Sequence, residues 1–272
     1  MMDTLFFAAA LFAYFLSTCG YMASLILKRV SVARLSAWML LAAFILHTVS
    51  FGLRGAGAGL NPAVNLHEAL SFFSWAVSGG YLAFQLRTKT RVLGAFVAPA
   101  ALILMLAASP GLGAAISIPV SLRGDLVAAH VILSLTGEAL LGLACFAGIA
   151  YLLQDRLLRS RRITGISRLL PSLGDLDRIG HICLIIGFPL LTFGIAAGSI
   201  WAGSVWGSHW SWDPKQIWTF LAWLAYAVLL HQRLAIGWSG RKAAKLSIAA
   251  FLLILFTLIG VNAFFRSAHN FM

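Results

Sequence analysis

The sequence predicts an all-α integral membrane protein with about eight transmembrane helices. Of its 272 residues 61% are hydrophobic, and the mean hydropathy is +0.92. Only 10% are charged, whereas soluble domains carry about 25%. Apolar runs of about 20 residues, long enough to cross a hydrocarbon core of about 30 Å, recur between short polar breaks. These observations exclude a soluble fold, and we treat residues 1–272 as a single helical membrane domain.

The apolar runs place the helices in order. They cover residues 5–27, 35–53, 67–86, 92–108, 123–153, 179–200, 216–236 and 246–265. No polar domain and no internal repeat interrupts the series. The fifth run is longer than a bilayer requires, because about 31 residues at 1.5 Å per residue give about 46 Å. We expect its excess to project from the outer face, which places His130 near the outer interface.

The positive charges orient the chain in the membrane. It holds 20 Lys and Arg against 8 Asp and Glu, a formal net charge of +12. If the connection after the first helix lies inside the cell, 16 of the 20 cations lie on the inner side, as the positive-inside rule demands. The outer side keeps only four cations, namely Arg54, Arg123, Lys215 and Arg266. We therefore expect both termini outside, and no nucleic-acid partner.

Tryptophans cluster in the connection between the sixth and seventh helices. Six of the nine lie between Trp201 and Trp223, and residues 201–216 form an external tryptophan-rich loop in this prediction. The loop interleaves Trp206, Trp210 and Trp212 with glycine and serine, a pattern that suits a flat apolar ligand. The alternative is an aromatic belt at the membrane interface. Asp213 and the following Pro-Lys-Gln predict a helix N-cap and a capping box.

The same segment resembles a known signature. W-G-x-x-W-x-W-D-P-K is similar to the tryptophan-rich WWD motif of haem-handling proteins in cytochrome c biogenesis. The flanking segments GFPLLTFGIAAGSIWA, WLAYAVLLHQR, GWSGRKAA and LIGVN resemble one branch, the CcsA (ResC) component of the system II cytochrome c synthase. The resemblance is dense over residues 123–269 and thin before them, apart from Asn65–Glu68. Gln216 departs from the family's glutamate, and the ending FRSAHNFM departs from its glycine-rich ending.

The resemblance implies that haem b is both substrate and ligand, and that His130 and His269 are its external axial ligands. Both histidines lie on the outer side in the predicted topology, and bis-histidine ligation of haem is common. Arg123 precedes His130 by seven residues and Arg266 precedes His269 by three. We expect these arginines to approach the haem propionates, the alternative being that they are interfacial anchors.

Other histidines and one carboxylate lie within the predicted spans. The resemblance implies that His231 ligates a second, intramembrane haem, with the opposite ligand supplied by a partner of the CcsB (ResB) type. His47 is a reserve ligand within this chain, and its alternative role is a hydrogen bond that packs helices. Glu138 lies eight residues after His130, and the sequence assigns it no specific role.

The expected function is cytochrome c biogenesis in the bacterial inner membrane, with a periplasmic active face. Haem would pass from the cytoplasmic to the outer face for thioether attachment to the C-x-x-C-H of apocytochrome c, whose thiols are kept reduced by thiol-reducing proteins. No dedicated catalytic residue is evident, so the protein would act as part of a synthase complex with its CcsB-type partner. The alternatives are a haem transporter and a HemX-like haem-binding regulator or assembly protein without ligation activity.

Overall fold

The computed structural model describes residues 2–58, 66–87, 91–111, 124–160 and 170–264, and the regular elements within these ranges are helices. A helix is present at each of the eight predicted positions. They are α1 Met2–Leu27, α2 Val30–Ala58, α3 Leu66–Arg87, α4 Gly94–Ala108, α5 Asp125–Arg159, α6 Leu173–Trp206, α7 Pro214–Ala235 and α8 Gly240–Leu255. Helix α8 continues through a π turn, Phe256–Gly260, into a last helical turn, Val261–Phe264.

The predicted class, an all-α polytopic membrane protein, is confirmed. Within the described ranges, six segments are long and apolar enough to cross a membrane. They are Met2–Leu27, Val30–Ala56, Arg91–Gly111, Asp125–Arg159, Leu173–Trp206 and Gly240–Gly260. Helices α3 and α7 have 22 residues each, enough to cross, but are less apolar than these six. The count of eight spans and the outer position of both termini therefore stay predictions.

Helices α2, α5 and α6 extend beyond the apolar runs that predict them, and α2 does so by five residues at each end. Helix α5 has 35 residues and ends at Arg159, so part of its excess length extends into the basic residues after the predicted span. Helix α6 has 34 residues and continues through the glycines and serines after Ile200 to Trp206. The first six residues of the predicted tryptophan loop are therefore helical, and the non-helical connection is residues 207–213.

Contacts divide the chain into two compact units, and the single domain expected from the sequence stays a prediction. The first comprises Met1–Ser117 with Leu152–Leu176. Its interior is lined by fully buried tyrosines, Tyr14, Tyr21 and Tyr81, beside apolar side chains. One face of α3 adds a buried polar row, namely Glu68, Ser71, Ser74, Ser78 and Tyr81. Glu68 forms an ion pair with Arg54 of α2, so the outermost charge of this row is compensated.

The second unit comprises Ile118–Tyr151 with Asp177–Met272. Helices α5 and α6 pack closely in it, because Gly137 of α5 faces the backbone of α6 at Gly187 and Leu191. A Cβ added at Gly137 would lie 2.7 Å from the Leu191 nitrogen, so only glycine allows this approach. An ion pair joins the end of α7 to the start of α6, because the Arg233 guanidinium contacts the Asp177 carboxylate at 2.5 Å. This unit holds the tryptophan-rich segment and His130.

Candidate functional site

The connection between α6 and α7 is a short turn with unusual backbone geometry. Gly207 leaves α6 with φ of 71°, a left-handed conformation that glycine adopts freely. Trp212 also has a positive φ, 54°, which is a costly conformation for a bulky side chain. Its ring is 74% exposed, so little burial compensates for this strain. Strain of this kind concentrates at functional sites.

Helix α7 begins as the sequence predicts. Asp213 is the N-cap, its Oδ1 accepts a hydrogen bond from the Lys215 backbone N–H at 2.9 Å, and Pro214 follows it at the first helical position. The predicted capping box differs in its second half. The Gln216 side chain accepts hydrogen bonds from the Ser211 N–H and hydroxyl, at 2.9 and 3.1 Å. In a capping box the Gln216 side chain would bond to the backbone N–H of Asp213. Here it bonds to Ser211, two residues earlier, and so fixes the loop instead of the cap residue.

The tryptophans of the connection continue into an aromatic strip on α6 and α7. Trp212 contacts Trp210 edge-on at 5.6 Å between ring centroids, and Trp210 contacts Phe220 at 6.1 Å. Phe220 stacks on Trp223 at 5.9 Å, and Trp223 stacks on Phe188 at 5.5 Å. The loop end of this strip is open, since Trp210 and Trp212 are exposed. The geometry offers flat apolar faces to a planar ligand.

Trp206 is the last residue of α6. It is 41% exposed and contacts Trp201, one turn earlier, at 5.1 Å. The three tryptophans singled out from the sequence are therefore all exposed at the same connection.

His130 of α5 is held in one tautomer. Its Nδ1 lies 2.8 Å from the Gly194 carbonyl oxygen of α6. Because a carbonyl only accepts hydrogen bonds, Nδ1 carries the proton and Nε2 keeps its lone pair. Histidines that ligate metals are commonly fixed this way, by a hydrogen bond from the other ring nitrogen to a carbonyl. The residue therefore fits the role of an iron ligand.

A glycine cradle on α6 receives the His130 ring. A Cβ added at Gly198 would lie 2.5 Å from Nδ1 and 2.7 Å from Cε1. A Cβ at Gly194, one turn earlier, would meet the Ser134 hydroxyl and lie 2.7 Å from its backbone nitrogen. A larger residue at position 198 would displace the imidazole, and one at position 194 would push α6 away from α5 at Ser134, so the position of His130 against α6 depends on both glycines.

Two charged groups accompany His130. The Lys215 ammonium of α7 interacts electrostatically with His130 and with Glu138 of α5. Glu138 lies two turns from His130 on the same side of α5, since residues four apart stack on one helix face. The surroundings of His130 thus contain a cation and, deeper along α5, a carboxylate.

Comparison with known proteins identifies the family. The profile of a family described as "Cytochrome C assembly protein" matches residues 63–269, about three quarters of the chain. The chain belongs to this family. The relatives of this cytochrome c assembly protein include CcsA of Chlorella vulgaris, 32% identical over 256 residues that cover 82% of this chain and 81% of that one. CcsA of Microcystis aeruginosa is 30% identical and covers 81% of this chain and 82% of its own.

The resemblance to the CcsA branch, predicted from the tryptophan motif, is therefore confirmed. The fold of this cytochrome c assembly protein is also similar to the solved structure of Cytochrome c Heme Lyase CcmF, with a TM-score of 0.66 over 98% of this chain at 16% identity. The chain spans 47% of that lyase, and a likeness at this identity bears on the fold alone.

His231 lies on an open face of α7 in this cytochrome c assembly protein. It is exposed, like Phe220, Leu224 and Val228 on the preceding turns of the same helix. These residues follow one another at spacings of three or four, so they share a side of the helix. The exposed side of α7 therefore leads from Trp210, which contacts Phe220, to His231.

His47 lies in the first unit and is 1% exposed. Its Nε2 is 3.0 Å from the Ser71 hydroxyl and its Nδ1 is 3.4 Å from the Tyr14 hydroxyl. Its ring stacks on Phe51 at 4.8 Å. This is the geometry of a hydrogen bond that packs helices, the alternative role stated for this residue.

Three predicted site residues, Arg123, Arg266 and His269, lie outside the described residues. Conversely, Lys215, Glu138 and His209 have no predicted role; the structure places Lys215 and His209 at the connection, and Glu138 two turns from His130 along α5. In the sequence, Lys215 belongs to the Asp-Pro-Lys-Gln segment, which is fully accounted for as the start of a helix. That local pattern gives no sign that Lys215 lies near His130. His209 is fixed on α6 by an Nδ1 hydrogen bond of 3.0 Å to the Ser199 carbonyl, a contact without a sequence signal.

Proposed function

We propose that this cytochrome c assembly protein binds haem at its outer face and presents it for covalent attachment to the C-x-x-C-H of apocytochrome c. One observation carries the proposal. His130 has its Nδ1 proton engaged by a backbone carbonyl, so that its Nε2 lone pair is available to iron. Glycine at positions 194 and 198 keeps this arrangement sterically possible.

The remaining groups match the other features of haem b. His269 is the proposed second axial ligand, on the opposite face of the iron. Trp206, Trp210 and Trp212 offer aromatic faces to the macrocycle, and Asp213 holds their connection to α7. Arg123 and Arg266 are the proposed partners of the two propionates. Lys215 adds a cation near His130, which favours an acidic ligand.

Haem reaches this site, in our proposal, from the cytoplasmic side by way of His231. The exposed side of α7 connects His231 to Trp210 through apolar residues, as a membrane route for a flat apolar substrate requires. An exposed histidine in a membrane helix is costly unless a partner covers it. The CcsB (ResB) type of subunit is the proposed partner, and it supplies the ligand opposite His231.

The attachment chemistry needs positioning more than a catalytic side chain. Each cysteine S–H adds across a haem vinyl group, so that a C–S bond forms, the hydrogen goes to the other vinyl carbon, and no electrons are exchanged in total. The thiols must be reduced, which assigns a role to thiol-reducing proteins. This chain holds the macrocycle still and exposes its vinyl edge. The histidine of C-x-x-C-H then displaces one axial ligand, and the site lies at the periplasmic face of the bacterial inner membrane.

The test is co-expression of this chain, with and without its CcsB-type partner, beside a C-x-x-C-H reporter. Purified wild-type complex is expected to show a bis-histidine haem spectrum, and the reporter to carry covalent haem. His130→Gly and His269→Gly are each expected to lose the outer haem and the reporter's haem. Added imidazole restores both if the histidines act as ligands.

His181→Gly is the matched control, because it removes a histidine near the start of α6, remote from Trp206. It is expected to keep haem and maturation. Normal maturation in both His130→Gly and His269→Gly would contradict the assignment. Haem binding without any reporter maturation, in the presence of the partner, would support a haem transporter or a HemX-like protein instead.

A further inference from the structure

Five buried polar side-chain atoms in the second unit have no hydrogen-bond partner in the part of the chain that the structure describes. Two of them are His181 Nδ1 and Ser247 Oγ, and the other three are Ser134 Oγ and Glu138 Oε2 of α5 and Tyr226 Oη of α7. Buried polar atoms are nearly always hydrogen-bonded, to protein or to ordered water. Several unpaired atoms in one region therefore indicate internal water, which typically makes about three hydrogen bonds.

The three atoms belong to one region below His130. His130, Ser134 and Glu138 follow each other at four-residue spacing along one side of α5. Glu138 lies about 12 Å from His130 along the helix axis, at 1.5 Å per residue. Tyr226 of α7 interacts electrostatically with Glu138. Ser134 thus stands between the histidine and a carboxyl that Tyr226 approaches from the neighbouring helix.

The charged and titratable groups around Glu138 are few. Helix α7 contributes Lys215, which interacts with Glu138 and His130, and Tyr226. Helix α5 contributes Cys145, which interacts with Tyr226. In the described part of α6 and α8, the side that meets α5 here presents glycine and apolar residues such as Leu191 and Phe251. Among these groups, Glu138 and Lys215 are the two of opposite charge, and they interact with each other.

We propose that this buried hydrated site takes up a proton at Glu138 when the haem bound at His130 is reduced. This inference rests on the proposed function. An electron from an external one-electron donor converts Fe(III) to Fe(II) and lowers the charge of the site by one. A charge change in a low-dielectric interior is costly unless it is compensated. A proton from the outer solution, passed along water at Ser134, converts the Glu138 carboxylate to the neutral acid and restores the charge.

The arrangement explains a feature that haem ligation alone leaves open. A carboxylate in the middle of a membrane helix is costly in free energy, so its presence indicates a functional role. Glu138 is too far along α5 to ligate the iron that His130 holds. It is, however, linked through Lys215 to that site, so its protonation state and the charge of the haem influence each other.

The experiment is a potentiometric titration of the haem-loaded complex over the neutral pH range, in wild type, Glu138→Gln and Asp175→Asn. The wild-type midpoint potential is expected to fall as the pH rises, because proton uptake accompanies reduction. Glu138→Gln is expected to lose most of this dependence. Asp175→Asn, which removes an exposed carboxylate at the start of α6, keeps it.

Reduced-minus-oxidised infrared spectra give a second readout. Wild type is expected to gain the band of a protonated carboxyl on reduction, and Glu138→Gln to lack it. Tyr226→Phe keeps the carboxyl but removes the hydroxyl that interacts electrostatically with it, so its band is expected to move. This variant and the wild-type spectrum decide the question even if Glu138→Gln does not fold.

The outcomes separate the two proposals. Wild-type protein that binds no haem overturns the proposed function, and this inference with it. Haem-loaded protein whose potential has the same pH dependence in wild type and Glu138→Gln overturns this inference alone. The inference is likewise overturned if wild type gains no carboxyl band on reduction, or if Tyr226→Phe leaves that band unmoved.

Discussion

At the scale of single residues, Gly194 and Gly198 of α6 leave the space that the His130 side of α5 occupies. The His130 ring occupies space beside α6 that any Cβ at position 198 would fill. The same geometry directs Nδ1 to the Gly194 carbonyl and thereby leaves a lone pair on Nε2, as the proposed ligation of iron requires. A ligand histidine that is fixed in orientation and tautomer loses little freedom on binding, which favours affinity.

The cradle predicts the effect of a single methyl group. Gly198→Ala would place a Cβ 2.5 Å from His130 Nδ1 and turn the ring away from Gly194. We expect a loss of outer haem without unfolding, measured by haem content and by the bis-histidine spectrum. Gly180→Ala is the matched control on the same helix, because its nearest neighbour, the Ala144 oxygen, lies at 3.8 Å. Equal haem content in both variants would contradict the cradle.

Trp212 offers a second prediction at this scale, in which stability and binding change in opposite directions. Its φ of 54° suits glycine better than any other residue. Trp212→Gly is expected to be more stable than Trp212→Ala by about 1 kcal/mol, because only alanine keeps the left-handed strain. Both variants are expected to bind haem less well than wild type. Thermal unfolding of the purified proteins and haem titration measure the two effects, and an alanine variant as stable as the glycine variant would argue against strain at this position.

At the scale of elements, the start of α7 connects the aromatic loop to the charged interior. Asp213 caps the helix, Gln216 holds Ser211 in the loop, and Lys215 between them interacts with His130. The loop and the cation are thus positioned by one helical turn. A change in this turn should therefore affect both stability and haem binding.

Two substitutions of Asp213 separate these effects. Asp213→Ala removes the cap and is expected to cost about 1 kcal/mol of stability. Asp213→Asn keeps a capping oxygen but removes the negative charge, so its stability is expected to stay near that of wild type. Denaturation midpoints measure the cap, and haem affinity of the asparagine variant reports the charge alone. If both variants lose stability equally, the cap is not what Asp213 contributes.

The same elements show what could be predicted from sequence. All eight helix positions follow from apolar runs, and the N-cap of α7 follows from Asp-Pro. The extension of α6 to Trp206 did not follow, because Gly203 and Ser204 suggested a turn. In the structure the His209 ring occupies the space beside Gly203, and its Nδ1 bonds to Ser199. Such long-range contacts have no local pattern, and the same holds for the tautomer of His130 and the Glu138–Lys215 pair.

At the scale of the whole molecule, the membrane topology decides whether the site faces the periplasm. Six helices are apolar enough to span by composition, while α3 and α7 have the length but more polar sequences. The 16 cations assigned to the inner side require both to cross. If α7 did not cross, its two ends would lie on the same side of the membrane. The position of those ends therefore tests the count of eight spans.

Cysteine labelling locates the two ends of α7. In a background in which Cys19, Cys145 and Cys183 are serine, Ser211→Cys marks the tryptophan loop and Ser239→Cys the residue before α8. Both positions are exposed. A membrane-impermeant maleimide is expected to label Ser211→Cys in intact cells, and Ser239→Cys only after permeabilisation, since Arg233, Arg241 and Lys242 hold that end inside. Labelling of both in intact cells would leave α7 outside the bilayer, and the route from His231 to the outer site would then not exist.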